Sequence, residues 1–350
     1  MSAALPKIAT NTAKAVSAPG TKLAAELFVG SEAVRRTCTM ASALRANTSP
    51  ASHQITLIAD DLPIDRDTNC VPPLVSVVVP VFDGMPHLEA LTESLLRQTY
   101  PELEIVFSEG GGTDGSLAFL HTITDPRVRI IQQPGHPTAG ENWTRATQAS
   151  SGEFIKLVCQ DDLLEPEAIR KQVDDLTSAP TAVMAIAQRD IVDAQGALLY
   201  AKRGCAGLRA GAQPGEQVIR AAFLQGTNVI GEPLAVLFRR DALLKAMPWS
   251  DANPLVLDLD CYQRVAPSGD VVVRLESVGA FRVSTSSWST RLAKEQLSQY
   301  QRWQREYAAS ATPAPTPGEL RKARRGARLQ TTLRRGAYGW LKLKGGFKSG

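Results

Sequence analysis

The run LVSVVVPV, Leu74–Val81, is β-branched and apolar along almost its whole length. An amphipathic helix would place polar residues every third or fourth position, and a half-exposed strand would alternate. An unbroken run of this kind is a strand buried on both faces, which belongs in a parallel sheet covered by helices. The residues that follow agree. His87–Gln98 carries Leu88, Leu91, Leu95 and Leu96 at helical spacing. The pattern then predicts strands at Glu104–Ser108, Val128–Ile131 and Phe154–Val158. Between and after them it predicts helices at Asp114–Ile123, Ala139–Ala149 and Pro166–Leu176. Asp114 is the expected N-cap of the first of these, and Pro166 is placed for a first helical turn. Strands and helices alternating at this spacing predict an α/β fold, a mostly parallel central sheet with helices on both faces. Beyond Ala182 the pattern loosens. Strands are expected at Val183–Ala187, Ala235–Phe238 and Val271–Arg274, and helices near Glu216–Leu224, Asp258–Val265 and Arg291–Tyr307.

Composition bounds the rest. Of 350 residues, 43% are hydrophobic and 21% charged, which excludes a chain disordered throughout or a collagen-like fibre. No run of 18 apolar residues is present, so no bilayer-spanning helix is expected. The first 30 residues lack a continuous apolar stretch, so a secretory leader is not expected. Five scattered cysteines (Cys38, Cys70, Cys159, Cys205, Cys261) form no CxxC, which argues against a disulfide framework or zinc site and for a reducing cytoplasm. Residues 1–71, rich in Ala, Ser and Thr with weak helical pieces at Leu23–Phe28 and Ala33–Leu44, read as a poorly ordered extension. The body is expected at 72–310, in halves 72–180 and 181–310. Thr312–Pro317, with three prolines, reads as an extended linker to a tail within 311–350.

That tail is strongly charged. From Glu319 to Gly350 ten basic residues face one acid, a net +9 that leaves −5 for the remainder. Tyr338, Trp340, Leu341, Leu343 and Phe347 interleave with the charge. The combination points to an anionic membrane surface rather than nucleic acid, or else to a solvated tail.

In an open parallel sheet ligands bind beyond the carboxyl ends of the strands. Three such ends carry polar clusters: Pro80–Gly84, Ser108–Gly115, and Cys159-Gln160-Asp161-Asp162. Gly110-x-Gly112-x-x-Gly115 matches a dinucleotide fingerprint literally. It follows the second strand rather than the first, lacks the ribose-binding acid about 20 residues on, and contains Asp114, which would repel a pyrophosphate. A turn needing positive φ is the simpler reading. Asp161 and Asp162 are adjacent acids at a strand end, costly unless a cation or donors satisfy them. A turn cap is the structural alternative.

VSVVVPVFDGMPHLEALTESLLRQTYPELEIVFSEGGGTDGS resembles the opening of family 2 glycosyltransferases, which have the GT-A fold, and FIKLVCQDDLLEPEAI resembles their aspartate-motif strand and following helix. Gly231-Glu232-Pro233 before the Arg239-Arg240-Asp241 turn resembles an acceptor-side region. Leu257–Arg264 resembles the segment that supplies the general base, and Phe281–Ser284 with Ser287-Trp288-Ser289 the sequence after it. The resemblance spans about 72–297. It implies a nucleotide-binding half followed by an acceptor-binding half. It also implies that Pro80, Phe82 and Glu109 line the nucleotide pocket, that Asp161 faces the sugar nucleotide, that Asp162 contacts Mg²⁺ or Mn²⁺, and that Asp258 is the base. Asp260 stands in reserve. Trp143, Trp249 and Trp288 are stacking or core tryptophans.

Three positions depart from the family pattern. Gly110 replaces the second acid of the glycine loop, Cys159 the first acid of the aspartate motif, and Leu257 the acid before the base. A thiol is a poor ligand for so hard an ion as Mg²⁺. The reaction implied is inverting transfer of a sugar from a nucleotide-sugar donor to a hydroxyl on a glycan or lipid-linked glycan, with a peripheral position at the inner membrane face. Two rivals remain. A nucleotidyltransferase would need a basic loop where Phe82–Pro86 is acidic. An inactive sugar-nucleotide-binding module would tolerate the three departures.

Overall fold

The computed structural model describes residues 71–343, apart from 133–134, 285–290 and 293. The expectations for residues 1–70 and for Trp288 lie outside the described residues, as do the side chains of Tyr338, Trp340, Leu341, Leu343 and Phe347.

The strands are β1 (Val75–Val81), β2 (Leu103–Glu109), β3 (Val128–Gln132), β4 (Phe154–Leu157), β5 (Leu163–Leu164), β6 (Ala182–Val192), β7 (Leu198–Arg203), β8 (Gly211–Pro214), β9 (Val236–Arg239) and β10 (Asp270–Arg282). The helices are α1 (His87–Leu96), α2 (Ser116–Leu120), α3 (Ala139–Gln148), α4 (Ala168–Ser178), α5 (Gly215–Gln225), α6 (Arg240–Lys245), α7 (Leu257–Val265), α8 (Gln296–Ser310) and α9 (Pro317–Leu343).

One mixed sheet runs β3-β2-β1-β4-β9-β6-β10-β5, with β7 paired to β6 and β8 to β10. β3, β2, β1 and β4 are mutually parallel, as are β6 and β10. β9 lies antiparallel between β4 and β6 and joins the two parallel groups. The α/β expectation holds, and the sheet is mixed because β9, β5, β7 and β8 each run antiparallel to their partners. The apolar run owes its character to the two faces it covers. Val75, Val77, Val79 and Val81 enter one core with Leu88, Leu91 and Leu95 of α1, while Val78 enters the other with Ala146 of α3 and Phe223 of α5. Full burial of one such side chain contributes roughly 1.5–3 kcal/mol.

Element boundaries moved where local chemistry decided. The N-cap of α2 is Gly115 at φ 94°, not Asp114. Asp114 instead accepts from the amides of Ser116 and Met85, over 2.9 and 2.7 Å, and ties the glycine loop to the turn after β1. α4 starts at Ala168, not Pro166.

The larger correction is the tail. No free linker separates it from the body, because α9 starts at Pro317 and lies against α5 and α8. Thr316 and Glu319 form a reciprocal cap: the Glu319 amide donates to Thr316 Oγ1 (3.3 Å), and the Thr316 amide to Glu319 Oε2 (2.9 Å). Arg220 of α5 holds the same carboxylate through Nε and Nη2, at 2.9 and 2.8 Å. Ala323, Ala327 and Thr331, four residues apart, form the buried stripe. Contact is backbone to backbone at two glycines. A Cβ on Gly226 would stand 2.1 Å from the Ala327 nitrogen, and one on Gly326 2.6 Å from the Gln225 oxygen.

Candidate functional site

The site forms where β1, β2 and β4 end side by side. β1 pairs Val81 with Glu109, and Val78 with Leu157. Pro80 lies buried in β1 opposite Ser108. Past the strand end, Gln160 continues the pairing with its side chain. Its Oε1 accepts from the Phe82 amide at 2.8 Å and its Nε2 donates to the Phe82 carbonyl at 2.9 Å. Phe82 stays 44% exposed, with the His136 ring edge-on at 6.0 Å.

Glu109 is buried, and its Oε1 accepts from the amides of Gly111 (2.9 Å) and Gly112 (2.8 Å). The glycine loop is therefore a cradle for its own carboxylate. Gly111 needs its hydrogen: φ is +85° and a Cβ would meet the Gly135 oxygen at 2.7 Å. Asn142 of α3 anchors the floor, accepting from Ser108 Oγ at 2.7 Å and donating to the Val81 carbonyl at 3.3 Å.

Asp162 is fully buried. Its Oδ1 accepts from the Arg282 amide at 3.3 Å, while Oδ2 has no hydrogen-bond partner. Burial pushes its carboxyl well above the usual range, and the neighbouring charges of Asp161 and Glu232 push the same way. Burial likewise lifts Asp161 to about 6, against the opposing charge of Arg282. Arg282, at the end of β10, donates to the Asp161 carbonyl at 2.9 Å and the Ala194 carbonyl at 3.0 Å. Beneath the pair lies Lys156, fully buried. Burial draws its pKa down to about 7. Gln172 Oε1 at 2.6 Å, the Leu234 carbonyl and the Val236 carbonyl at 3.3 Å take all three protons of an ammonium.

Asp258 opens α7. Its Oδ2 accepts from Asn228 Nδ2 and its Oδ1 from the Leu259 amide, both at 2.7 Å. Burial, then the charge of Glu232, raises it to about 7. Glu232 is ion-paired with buried Arg189. Asp260 has a different role. It pairs with Arg264 at 2.9 Å, and Arg264 in turn donates to the carbonyls of Ala246 and Pro248. Trp249 is core, 2% exposed, with its indole N–H on Thr147 Oγ1, and the partly buried Trp143 meets it edge-on at 5.3 Å.

Asp161, Asp162, Glu232 and Asp258 all act electrostatically on one thiol, Cys159, which burial pushes up the most. The acids after β4 and those at Glu232 and Asp258 thus share one neighbourhood. Among the described residues no group of three or more His, Cys, Asp or Glu has metal-binding geometry. The orphaned Asp162 Oδ2 beside Asp161 nevertheless fits a hard divalent ion, which needs one or two carboxylates and takes its remaining oxygens from water and phosphate. Sequence reasoning missed Gln160, Asn142, Lys156, Asn228 and Arg282 as site-building residues. Gln160 carried a signal as part of a polar cluster at a strand end, and Arg282 lay within the Phe281–Ser284 segment that resembles the family.

Residues 76–245 match the model of the glycosyl transferase family 2. Among curated relatives, the glycosyltransferase GlyG of Streptococcus pneumoniae is 32% identical over 98 residues, 27% of this chain and 33% of that protein. Chondroitin synthase of Escherichia coli is 30% identical over 129 residues, 36% of this chain and 19% of that protein. Hyaluronan synthase of Pasteurella multocida is 29% identical over 141 residues, 39% of this chain and 14% of that protein. The matched region is thus a third or less of each relative's length. Among solved structures, S. aureus TarS 1–349 superposes with a TM-score of 0.55 at 14% identity, covering 73% of this chain and 70% of that one. Its complex with UDP-GlcNAc gives 0.50 at 14% identity, covering 65% of each chain. Those superpositions establish the shared α/β fold. Residues 76–245, just under half of the chain, are similar in sequence to the glycosyl transferase family 2.

Proposed function

We propose that the protein transfers a sugar from a nucleotide-sugar donor to a hydroxyl of a glycan or lipid-linked glycan, with inversion at the anomeric carbon. The observation that carries this is the pairing of two unlike acids in one site. Asp162 presents a buried carboxylate oxygen with no partner, and Asp258, oriented by a hydrogen bond from Asn228, is raised by burial and by the charge of Glu232 to about 7. Pro80, Phe82 and Glu109 at the ends of β1 and β2 form the nucleotide side. That a fold neighbour, TarS, forms a complex with UDP-GlcNAc supports a nucleotide-sugar donor. Asp162, with Asp161 beside it, would hold Mg²⁺ or Mn²⁺, which supplies positive charge against the leaving diphosphate. Asp258 takes the proton of the acceptor hydroxyl, which is a weak nucleophile without a positioned base. A base near neutrality is ionised often enough to act and basic enough to matter. Asp260 is committed to Arg264, which favours Asp258 over it.

The test is a panel of purified sugar nucleotides, read by metal-dependent release of nucleoside diphosphate and by thermal stabilisation. Selective binding raises stability in proportion to the logarithm of ligand over dissociation constant. Binding without turnover of any donor would identify an inactive module instead.

We further infer that α9 faces an anionic membrane. Its docked stripe leaves Arg321, Lys322, Arg324, Arg325 and Arg328 exposed, with Leu329 and Leu333 each 58% exposed. Arg321, Lys322, Arg325 and Leu329 line an open groove of about 500 Å³ against Leu224. Each basic residue contributes about 1 kcal/mol near an anionic surface. No helix among the described residues is long and apolar enough to cross a membrane, so attachment of this helix is peripheral. Vesicles containing phosphatidylserine should pellet the wild-type protein at low salt, and Arg321→Glu with Arg325→Glu should abolish it. Equal pelleting of both proteins refutes this role for α9.

A further inference from the structure

The loop between α5 and β9 carries the residue that orients Asp258, and α9 reaches that loop. Gly226 caps α5 at φ +63° and packs against the α9 backbone at Gly326 and Ala327. Two residues on, Asn228 acts as a hub. Its Oδ1 accepts from the amides of Ile230 and Gly231, at 3.1 and 3.0 Å. Its Nδ2 donates to the Gly231 carbonyl and to Asp258, and its own amide donates to Tyr300 OH of α8 at 2.9 Å. Between them, Thr227 Oγ1 accepts from Arg334 Nη2 of α9 at 3.5 Å. The next residue of the helix, Arg335, donates to the Lys294 carbonyl at 3.3 Å. Two consecutive arginines of α9 therefore hold the chain at Thr227 and at Lys294. Arg334 also draws the Glu232 carboxyl down, second to Arg189 among the cations acting on it.

We propose that Arg334 is a positioning residue of the acceptor side, holding Thr227 so that Asn228 keeps the Asp258 carboxylate in its working orientation. The inference rests on the reading of Asp258 as the base. It makes the C-terminal helix part of the machinery for transfer and not merely an attachment. A rigid hub matters because sub-ångström misplacement of a base lowers turnover without weakening binding of a ligand that the base does not touch.

The experiment uses the full chain with Arg334→Gln and Arg334→Lys, and two readouts. The first is hydrogen exchange of the peptide covering residues 226–232, which needs no ligand. Arg334→Gln should speed exchange there by about tenfold, with β1 and β4 unchanged, and Arg334→Lys should restore most of the protection. The second is turnover of whichever sugar nucleotide the panel identifies. Arg334→Gln should lower kcat by about tenfold with donor KM unchanged, and Arg334→Lys should recover it. Wild-type exchange in Arg334→Gln overturns the inference, as does faster exchange spread evenly over the sheet or failure of lysine to restore protection. Normal transfer by Asp258→Asn would instead overturn the base assignment, a separate outcome from the exchange result.

Discussion

Asn228 holds Asp258: the side-chain nitrogen of one stands 2.7 Å from the carboxylate of the other, and the second N–H and both acceptor positions of the Asn228 side chain are taken by its own loop. A carboxylate fixed in this way keeps little orientational freedom, and its other oxygen accepts from the Leu259 amide.

Asp258→Asn should lower transfer by about 10²–10⁴-fold, the usual worth of a positioned base, and leave donor binding unchanged. The pH dependence follows from its direction of shift. Burial raises the carboxyl to about 7, so the group is protonated and inactive below that pH and becomes a base as pH rises through it. Turnover of the wild type should therefore show an acid limb centred near neutrality, absent from the residual activity of Asp258→Asn. A flat profile through the neutral range would remove Asp258 from this role.

Asp162→Asn should abolish metal-dependent turnover while leaving the chelated protein as stable as the wild type or more so. The buried Oδ2 has no partner, and an unsatisfied buried charge costs folding free energy. Because burial raises this carboxyl, its stabilising protonated form is lost as pH rises. Urea unfolding in chelator should accordingly show wild-type stability falling with pH more steeply than that of Asp162→Asn. Full activity of either protein in excess chelator would sink the metal assignment.

Gly226→Ala and Gly326→Val should each destabilise the protein by about 1–3 kcal/mol, the range for forced overpacking. Both new side chains would run into backbone rather than into flexible neighbours, and Gly226 adds a left-handed φ. Chemical denaturation measures the loss, and a change below about 0.5 kcal/mol would mean that α9 does not pack as described.

The Arg220–Glu319 pair gives α9 an acid sensitivity. Hydrogen bonds from Arg220 and Thr316 pull the Glu319 carboxyl from 4.5 to about 2. Its contribution is present above the ordinary carboxylate range and is lost as pH falls toward 2. Being partly exposed, the pair is open to screening by solvent ions, so the effect should shrink in high salt. Glu319→Gln should flatten acid unfolding between those limits, and an acid profile identical to the wild type's would show that the pair holds nothing.

Much of the donor side was legible in sequence because it is local. The β-branched run of β1, the leucine spacing of α1 and the acids after β4 lie within single elements, where periodicity is decided by which faces are covered. Two signals were present and misread. Thr316-Pro317-Gly318-Glu319 is a capping sequence with Pro at the first helical position, yet Pro317 together with Pro313 and Pro315 before it suggests a linker. The glycines at 326, 336 and 339, poor helix formers, disguised the helix that follows. β7, exposed along most of its length, carried no alternation to find.

By itself, then, the sequence determined the α/β order and the positions of the strand ends, and it put forward Asp161, Asp162 and Asp258 as candidates. Tertiary structure alone decided what each acid can do. Asp260 and Asp258 are two residues apart on one helix, and only long-range packing gives one to Arg264 and the other to Asn228 of a distant loop. The same holds for Lys156, a strand residue whose three acceptors come from Gln172 and the turn after Glu232. Desolvation and hydrogen-bond partners set protonation and orientation. Both depend on neighbours brought together across tens of residues, which local propensity does not encode.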